Sequence, residues 1–328
     1  MIDVTTIVPA IDVTTIVPVF VAFAICAILE PILIPVLRNL KMSQTERTYG
    51  METHLKKAGT PTMGGIAIII AFTVASLIFL PRFPRTGPVL FLTLAFGLIG
   101  FVDDYLKVVK HNSDGLIAWQ KLIMEAVVTL VFCLYLVLGT KTSLAIRIPF
   151  SGGSIVDIGF WAYPLLFFAV LGTVNAVNFT DGLDGLSSSV TAVVAVFFLI
   201  VSTLIGSGTA PAASALLGAL MGFLLYNAYP AQVFMGDTGS LALGGFVVGM
   251  AYMLQMPLYI LIFGIVYLCE ILSVMIQVTY FKATHGKRIF KMTPIHHHFE
   301  KCGWSESRIV TTFTVVGVLA GMVALIAL

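Results

Sequence analysis

Residues 175–186 read NAVNFTDGLDGL, and this short polar stretch decides how the rest of the chain is interpreted. It carries two amides and two carboxylates between apolar runs, residues 159–174 and 187–205, that are long enough to cross a bilayer. Carboxylates this close to hydrocarbon are costly and mark functional sites by default. If the first part is helical, Asn175, Asn178 and Asp181 step by three and share one face.

The glycines of this stretch bear on its role. Gly182 and Gly185 let the backbone turn sharply or come close to a ligand. Oxygen-rich side chains that converge at a membrane surface suit a hard cation and a phosphorylated ligand. The alternative interpretation is a polar loop that only turns the chain between two spans.

The composition indicates an integral membrane protein. Of 328 residues, 59% are hydrophobic and 10% are charged, and the mean hydropathy of +1.03 excludes a soluble domain. The net charge of +2 gives no reason to expect a nucleic-acid partner, because the charges are segregated by side. Four scattered cysteines without a CxxC pair indicate neither a disulfide framework nor a zinc site.

Hydropathy predicts an all-α polytopic membrane protein with about ten transmembrane helices, at about 20 residues per crossing. The predicted spans are residues 17–37, 66–80, 89–102, 118–138, 159–174, 188–205, 211–225, 241–254, 258–281 and 309–328. Alternating residues in 140–157 predict a small extracytoplasmic β-hairpin, and the polar loop 282–308 predicts a short amphipathic helix.

The N-terminus contains a local duplication, IDVTTIVP at residues 2–9 and again at 11–18. We therefore treat residues 1–16 as a segment outside the fold core. Residues 17–328 are expected to form one integral-membrane domain.

Basic residues predict the orientation of the spans, because cytoplasmic loops are enriched in them. One set of alternate loops holds 14 of the 18 lysines and arginines, and the other set holds only Arg82, Arg85, Lys141 and Arg147. The basic set is expected to face the cytoplasm, with both termini outside. The histidines and the aspartates of the polar motifs then gather at one cytoplasmic cleft.

Two aspartates, Asp103 and Asp104, end the third span. Neighbours on a helix point about 100° apart, so these carboxylates are expected to do different jobs. A bound cation, or Lys107 four residues after Asp103, would relieve their repulsion. The alternative is a solvated helix end with a lysine partner, since surface ion pairs contribute little.

Asp237 lies just before the eighth span and has two interpretations. It could cap that helix together with Thr238 or Ser240. The glycines around it, at a helix N-terminus, also make a place for phosphate. Together with the other acidic loops, it offers enough carboxylate to hold Mg²⁺ beside a diphosphate.

Three consecutive histidines, residues 296–298, cannot all face one metal from a helix or strand, so a zinc site is not indicated. Imidazoles near a diphosphate can donate hydrogen bonds, and three surface histidines are the alternative. Four lysines, Lys56, Lys57, Lys107 and Lys121, could supply point charges for phosphate. Lys121 could instead pair with Glu125 on the same helix.

Three deeper acids, Glu30, Glu125 and Glu270, keep a rival function open. An ion-coupled transporter would place its coupling carboxylates near the midplane. That hypothesis explains the interfacial cluster poorly, and the sequence contains no visible inverted repeat.

Five motifs in series resemble the polyprenyl-phosphate N-acetylhexosamine-1-phosphate transferases. They are GTPTMGG at 59–65, DDYLK at 103–107, NFTDGLDG at 178–185, MGDTGS at 235–240 and PIHHHFE at 294–300. The resemblance covers about residue 17 to the end, and the histidine motif is most similar to the branch that acts on muramoyl-pentapeptide.

The resemblance implies transfer of phospho-N-acetylmuramoyl-pentapeptide from its UDP carrier to undecaprenyl phosphate, giving lipid I and UMP for peptidoglycan. It also implies a Mg²⁺ cofactor, a homodimer and a place in the bacterial cytoplasmic membrane with the active site facing the cytoplasm. The alternative within the family uses UDP-N-acetylglucosamine.

The resemblance further implies residue roles. Asp237 would bind Mg²⁺, with Asp103 or Asp104 as a further ligand; Asp103 would deprotonate or steer the lipid phosphate, Asp104 would support one of these roles, and His296 would be catalytic. The residues leave open whether an aspartate attacks the diphosphate covalently or the lipid phosphate attacks directly. The implied substrate-binding residues are Lys57, Thr62, Lys107, Lys121, Asn175, Asn178, Asp181, Leu183, Asp184, Asn227, Phe234, Gln277, His297 and His298.

Overall fold

The structure is a computed structural model that describes residues 12–40, 59–109 and 115–328. Helices dominate the described residues. They are α1 Val13–Asn39, α2 Gly65–Phe79, α3 Thr86–Val109, α4 Ala118–Leu134, α5 Ala162–Thr180, α6 Leu186–Leu204, α7 Ala210–Asn227, α8 Gly236–Met253, α9 Ile260–Phe263, α10 Ile265–Ala283, α11 Ile295–Lys301 and α12 Glu306–Ile326. A π-helical turn, Tyr135–Gly139, extends α4, and 3₁₀ turns at Gly159–Trp161 and Pro257–Tyr259 precede α5 and α9.

Each of the ten predicted spans corresponds to helix in the structure, which confirms the all-α polytopic class. Within the described ranges, eight helices are long and apolar enough to cross a membrane. The other two predicted spans are α2, which is apolar but has only 15 residues, and α8, which begins with polar residues. The short helix expected in the loop 282–308 is α11.

Two predicted boundaries need correction. Helix α1 begins at Val13, and the carbonyl of Thr15 accepts a hydrogen bond from Ser214 Oγ at 2.5 Å, so the boundary predicted between residues 16 and 17 lies inside α1. The ninth span is not one helix: the chain breaks at Gly264 between α9 and α10. Glycine is a weak helix former, which makes a break there inexpensive.

Helix α8 is the centre of the bundle. Nearly all of its residues are buried, and it packs against α3, α5 and α2. Two glycines allow the close approach at its first turn, because a Cβ on Gly65 of α2 would lie 2.3 Å from Gly239 Cα and one on Gly100 of α3 would lie 2.0 Å from Asp237 O. Small residues let helix backbones approach in this way.

The remaining helices surround this centre: α1 packs on α7 and α2, and α12 packs on α6. The predicted hairpin is present as two short antiparallel strands, β1 Ile146–Arg147 and β2 Ile155–Val156. It connects the ends of α4 and α5 that point away from the polar motifs. The hairpin and the motif residues therefore lie at opposite ends of the bundle.

Candidate active site

Helix ends bring five of the sequence-predicted residues together around Asp237. We call Asp103, Lys107, Lys121, Asn178 and Asp237 the Asp237 cluster. The first two lie near the C-terminus of α3, and the other three lie on the first turns of α4 and α8 and the last turn of α5. Four helices therefore each contribute a polar side chain to one point.

Both carboxylate oxygens of Asp237 are engaged. Oδ2 lies 2.9 Å from Lys107 Nζ and 3.2 Å from Lys121 Nζ. Oδ1 accepts a hydrogen bond from Asn178 Nδ2 at 2.8 Å, and the same amide reaches Ser240 Oγ at 2.8 Å. Lysines aimed at one carboxylate form a positively charged pair that an anionic ligand could also engage.

Asp103 is the second carboxylate of the Asp237 cluster. Its Oδ2 lies 2.5 Å from Lys107 Nζ, one helical turn away, as the sequence predicted. Its Oδ1 accepts the backbone N–H of Leu116 at 2.6 Å, which ties the start of α4 to α3. Lys107 therefore bridges two carboxylates, and the cluster pairs two anionic groups with two cationic ones.

Asp104 has a different job from Asp103, as expected from their angular separation. It accepts hydrogen bonds from Thr238 N at 2.8 Å, Thr238 Oγ1 at 2.7 Å and Asp237 N at 3.2 Å. Asp104 therefore caps the N-terminus of α8 from another helix. The interpretation of Asp237 as the capping residue is wrong, because Asp237 lies inside the first turn of α8 and its own N–H donates a hydrogen bond to Asp104.

Asp181 ends α5 beside this cluster. Burial, together with the negative charges of Asp237, Asp104 and Asp184, raises the pKa of the Asp181 carboxyl well above its usual range. Within the described part of the chain its carboxylate accepts no hydrogen bond. It is thus a polar group that a ligand or cation would stabilise.

Asp184 fixes the turn after α5. Its Oδ2 accepts the N–H of Ala231 at 2.9 Å, and its own N–H donates to Glu306 Oε1 at 2.7 Å. Gly185 follows with φ +76°, in the left-handed region that glycine adopts easily. The sharp turn predicted here is present, and neighbouring Leu183 is buried within it.

Two of the predicted substrate-binding amides make contacts outside the Asp237 cluster. Asn175 Nδ2 donates to Glu125 Oε2 at 2.7 Å, so it faces α4. Asn227 is buried, with Oδ1 accepting from Gly185 N and Ser188 Oγ, each at 3.1 Å. Asn227 therefore holds the turn 181–185 in place.

The three histidines have different hydrogen-bond partners. His296 is fully buried and its Nδ1 lies 3.0 Å from Glu270 Oε2. His297 Nδ1 lies 2.6 Å from Glu300 Oε2. His298 Nδ1 accepts the backbone N–H of Lys291 at 3.1 Å.

Other predicted residues frame the site. Gln277 Oε1 accepts backbone N–H groups of the loop before α11, at 2.9 and 3.1 Å. Phe234 donates its N–H to Pro61 O at 2.8 Å, and Thr62 is buried with its Oγ1 next to Gly236. Lys57 lies outside the described residues.

Sequence reasoning missed the residues that hold the predicted ones. Thr238 and Ser240 were considered only as caps, yet they contact Asp104 and Asn178. Glu270 was considered only for transport, yet it contacts His296. A buried acid inside a span was the signal that could have found Glu270.

The residues that could hold a metal are the two carboxylates of the Asp237 cluster. The described residues contain no group of three or more His, Cys, Asp or Glu side chains that could hold one. Mg²⁺ typically uses only one or two carboxylates and takes its other ligands from phosphates and water. Asp237, with Asp103 beside it, fits a site of that kind, which a bound diphosphate would complete.

Comparison with known proteins gives a consistent result. The family model described as "Glycosyl transferase family 4" matches residues 87–255. The model described as "Phospho-N-acetylmuramoyl-pentapeptide-transferase signature 1" matches residues 57–69. Proteins named phospho-N-acetylmuramoyl-pentapeptide-transferase are similar over nearly the whole chain.

The relative from Clostridium botulinum (strain Eklund 17B / Type B) is 48% identical over 93% of this chain and 94% of its own. The relative from Clostridioides difficile (strain 630) is 45% identical over 94% and 95%. The relative from Caldicellulosiruptor bescii is 46% identical over 99% and 98%. The chain belongs to the phospho-N-acetylmuramoyl-pentapeptide-transferase family.

Proposed function

We propose that this protein transfers phospho-N-acetylmuramoyl-pentapeptide from its UDP carrier to undecaprenyl phosphate, giving lipid I and UMP for peptidoglycan synthesis. The observation that carries the proposal is similarity at 45–48% identity, over more than nine-tenths of the chain, to proteins named for this transfer. The five motifs that suggested it in the sequence supply the residues of the Asp237 cluster and its surroundings.

The Asp237 cluster supports this chemistry. Lys107 and Lys121 both present Nζ to Asp237 Oδ2. A diphosphate that enters the cluster would accept hydrogen bonds from these two ammonium groups, in place of the Asp237 carboxylate. Fixed cationic groups at the point where negative charge develops are a large source of rate enhancement. Asp103, held by Lys107 and by the Leu116 N–H, is positioned to steer or deprotonate the lipid phosphate.

We propose that Mg²⁺ is the cofactor and that Asp237, supported by Asp103, holds it. A bound Mg²⁺ would neutralise charge on the diphosphate and polarise it for attack. Asn178 fixes the orientation of the Asp237 carboxylate through Oδ1. Asp181 adds a carboxylate beside the cluster.

We also propose the orientation and assembly. The end of the bundle that carries the Asp237 cluster is placed at the cytoplasmic face of the bacterial inner membrane, which the bias of 14 among 18 basic residues supports. The UDP-linked substrate would then reach the site from the cytoplasm, and the lipid phosphate would reach it from the bilayer.

The proposed assembly is a homodimer, which rests on the family resemblance. Light scattering tests it by measuring the mass of the detergent-solubilised protein.

The test is UMP release by detergent-purified protein. Release that requires both UDP-N-acetylmuramoyl-pentapeptide and undecaprenyl phosphate, and that EDTA abolishes and Mg²⁺ restores, is the expected result. Release with UDP-N-acetylglucosamine, but not with UDP-N-acetylmuramoyl-pentapeptide, would contradict the assigned sugar. Absence of release with either nucleotide, together with ion-coupled uptake in liposomes, would overturn the transferase function in favour of transport.

A further inference from the structure

A buried pair, Glu270 and His296, lies next to the Asp237 cluster but outside it. Both residues are fully buried, and Glu270 Oε2 lies 3.0 Å from His296 Nδ1. The same oxygen is 3.4 Å from the backbone N of His296. An ionised carboxylate can only accept hydrogen bonds, so this contact requires that the His296 ring carries a proton on Nδ1 and donates it to Glu270 Oε2.

The other ring nitrogen of His296 faces the turn after α5. A Cβ placed on Gly182 would lie 2.2 Å from His296 Nε2 and 2.6 Å from Cε1. Gly182 itself is partly exposed and follows Asp181 directly. The imidazole therefore lies immediately beneath the turn that carries Asp181, and position 182 has no room for a side chain.

His296 Nε2 is buried and has no hydrogen-bond partner among the described residues. A buried polar atom without a partner is destabilising, and such atoms in native structures call for an explanation. Since Nδ1 is committed to Glu270, Nε2 is the ring nitrogen left for a ligand that reaches the Gly182 turn.

We propose that Glu270 is a positioning residue that fixes the ring of His296 with its proton on Nδ1, so that Nε2 accepts a hydrogen bond from a hydroxyl group of the nucleotide-sugar at the Gly182 turn. The proposal rests on the proposed function for the identity of that ligand. Carboxylates that hold one nitrogen of a functional histidine fix its tautomer and its orientation. Glu270 thus acts from within a membrane span on substrate affinity.

The test compares Glu270→Met, which removes the acceptor at similar length, with Glu270→Gln, which keeps one. Glu270→Met is expected to raise the KM for the nucleotide-sugar about fivefold, the size expected for one hydrogen bond between uncharged groups. The KM for undecaprenyl phosphate should not change. Glu270→Gln should restore much of the affinity, and Gly182→Ala should raise the same KM because its Cβ would displace the ring.

Glu30→Met is the matched control. Glu30 is equally buried on α1, and neither of its carboxylate oxygens has a partner within the described ranges. This control should leave both KM values unchanged. Melting temperatures of all variants, with and without nucleotide-sugar, show whether a change in KM reflects lost folding.

The deciding measurement is a double-mutant cycle with His296→Ala. If Glu270 acts through His296, then Glu270→Met in the His296→Ala background should not raise the KM further. Additive effects, or equal losses of kcat/KM for the two substrates with a lowered melting temperature, would overturn the proposal and leave Glu270 a structural residue. Wild-type protein that releases no UMP would instead contradict the proposed function.

Discussion

Substitution of Gly100 by alanine tests how the site depends on helix packing. Gly100 lies on α3 against the first turn of α8. A Cβ there would be 2.0 Å from Asp237 O, 2.4 Å from Asp237 C and 2.6 Å from Thr238 N. All three contacts are with backbone, so no flexible side chain can move aside. The two helices would have to separate at the residue that centres the site.

The size of the effect follows from these distances. Real Cβ atoms do not approach other atoms within 3.0 Å, so the backbone at Asp237 must move by about 1 Å. A misplacement of that size costs roughly 100-fold in rate. Overpacking destabilises by about 1–3 kcal/mol, and the better helix propensity of alanine offsets about 1 kcal/mol. Gly100→Ala should therefore lose much more activity than stability.

The assay is UMP release, paired with the melting temperature in the same detergent. Gly172→Ala on α5 is the control, because a Cβ on Gly172 would meet nothing within 4 Å. The control should keep full activity and an equal or higher melting temperature. A Gly100→Ala protein with normal turnover would refute the packing argument, since it would show that α3 and α8 can separate without moving Asp237 out of place.

Two further substitutions test individual contacts of the site. Asp104→Ala should lower the stability by about 1–2 kcal/mol, as loss of a helix cap does, because it removes the acceptor for Asp237 N and for Thr238 N and Oγ1. Thermal unfolding measures this, and an unchanged midpoint would contradict the capping role. Asn178→Ala should reduce kcat about tenfold or more by releasing Asp237 Oδ1, since a hydrogen bond to a charged group contributes roughly 1.5–3 kcal/mol; UMP-release kinetics measure this. Ser240→Ala, which keeps the bond between Asn178 and Asp237, should have a smaller effect, and the opposite order would contradict the assignment.

Much of the fold was predictable because hydropathy and turn composition are local signals. Apolar runs located helix at each of the ten predicted spans, and eight helices of the described residues are long and apolar enough to cross a membrane. The Ser-Gly-Gly-Ser turn located the hairpin. The break at Gly264 was missed, because an apolar run gives no sign of where a helix is interrupted.

The structure brings several of the predicted site residues together, but most of their pairings could not be predicted from the sequence. The motifs nominated Asp103, Asp104 and Asp237 as a group. The local pair of Asp103 and Lys107 was predictable. That Asp104 caps α8 depends on how α3 and α8 pack, because residues 133 positions apart in sequence meet only in the folded chain. Lys121 was a candidate for a local pair with Glu125, but it reaches across to Asp237 instead.

The most direct test of the central claim, that the Asp237 cluster is the reaction centre, is the kcat for UMP release by Asp237→Asn. Asp157→Asn, an exposed change at the opposite end of the bundle, is the matched control. Our account predicts that Asp237→Asn loses at least about 100-fold in kcat, as loss of a central electrostatic group does, while it still folds and the control stays active. Turnover by Asp237→Asn within a few-fold of wild type would contradict it and place the chemistry elsewhere.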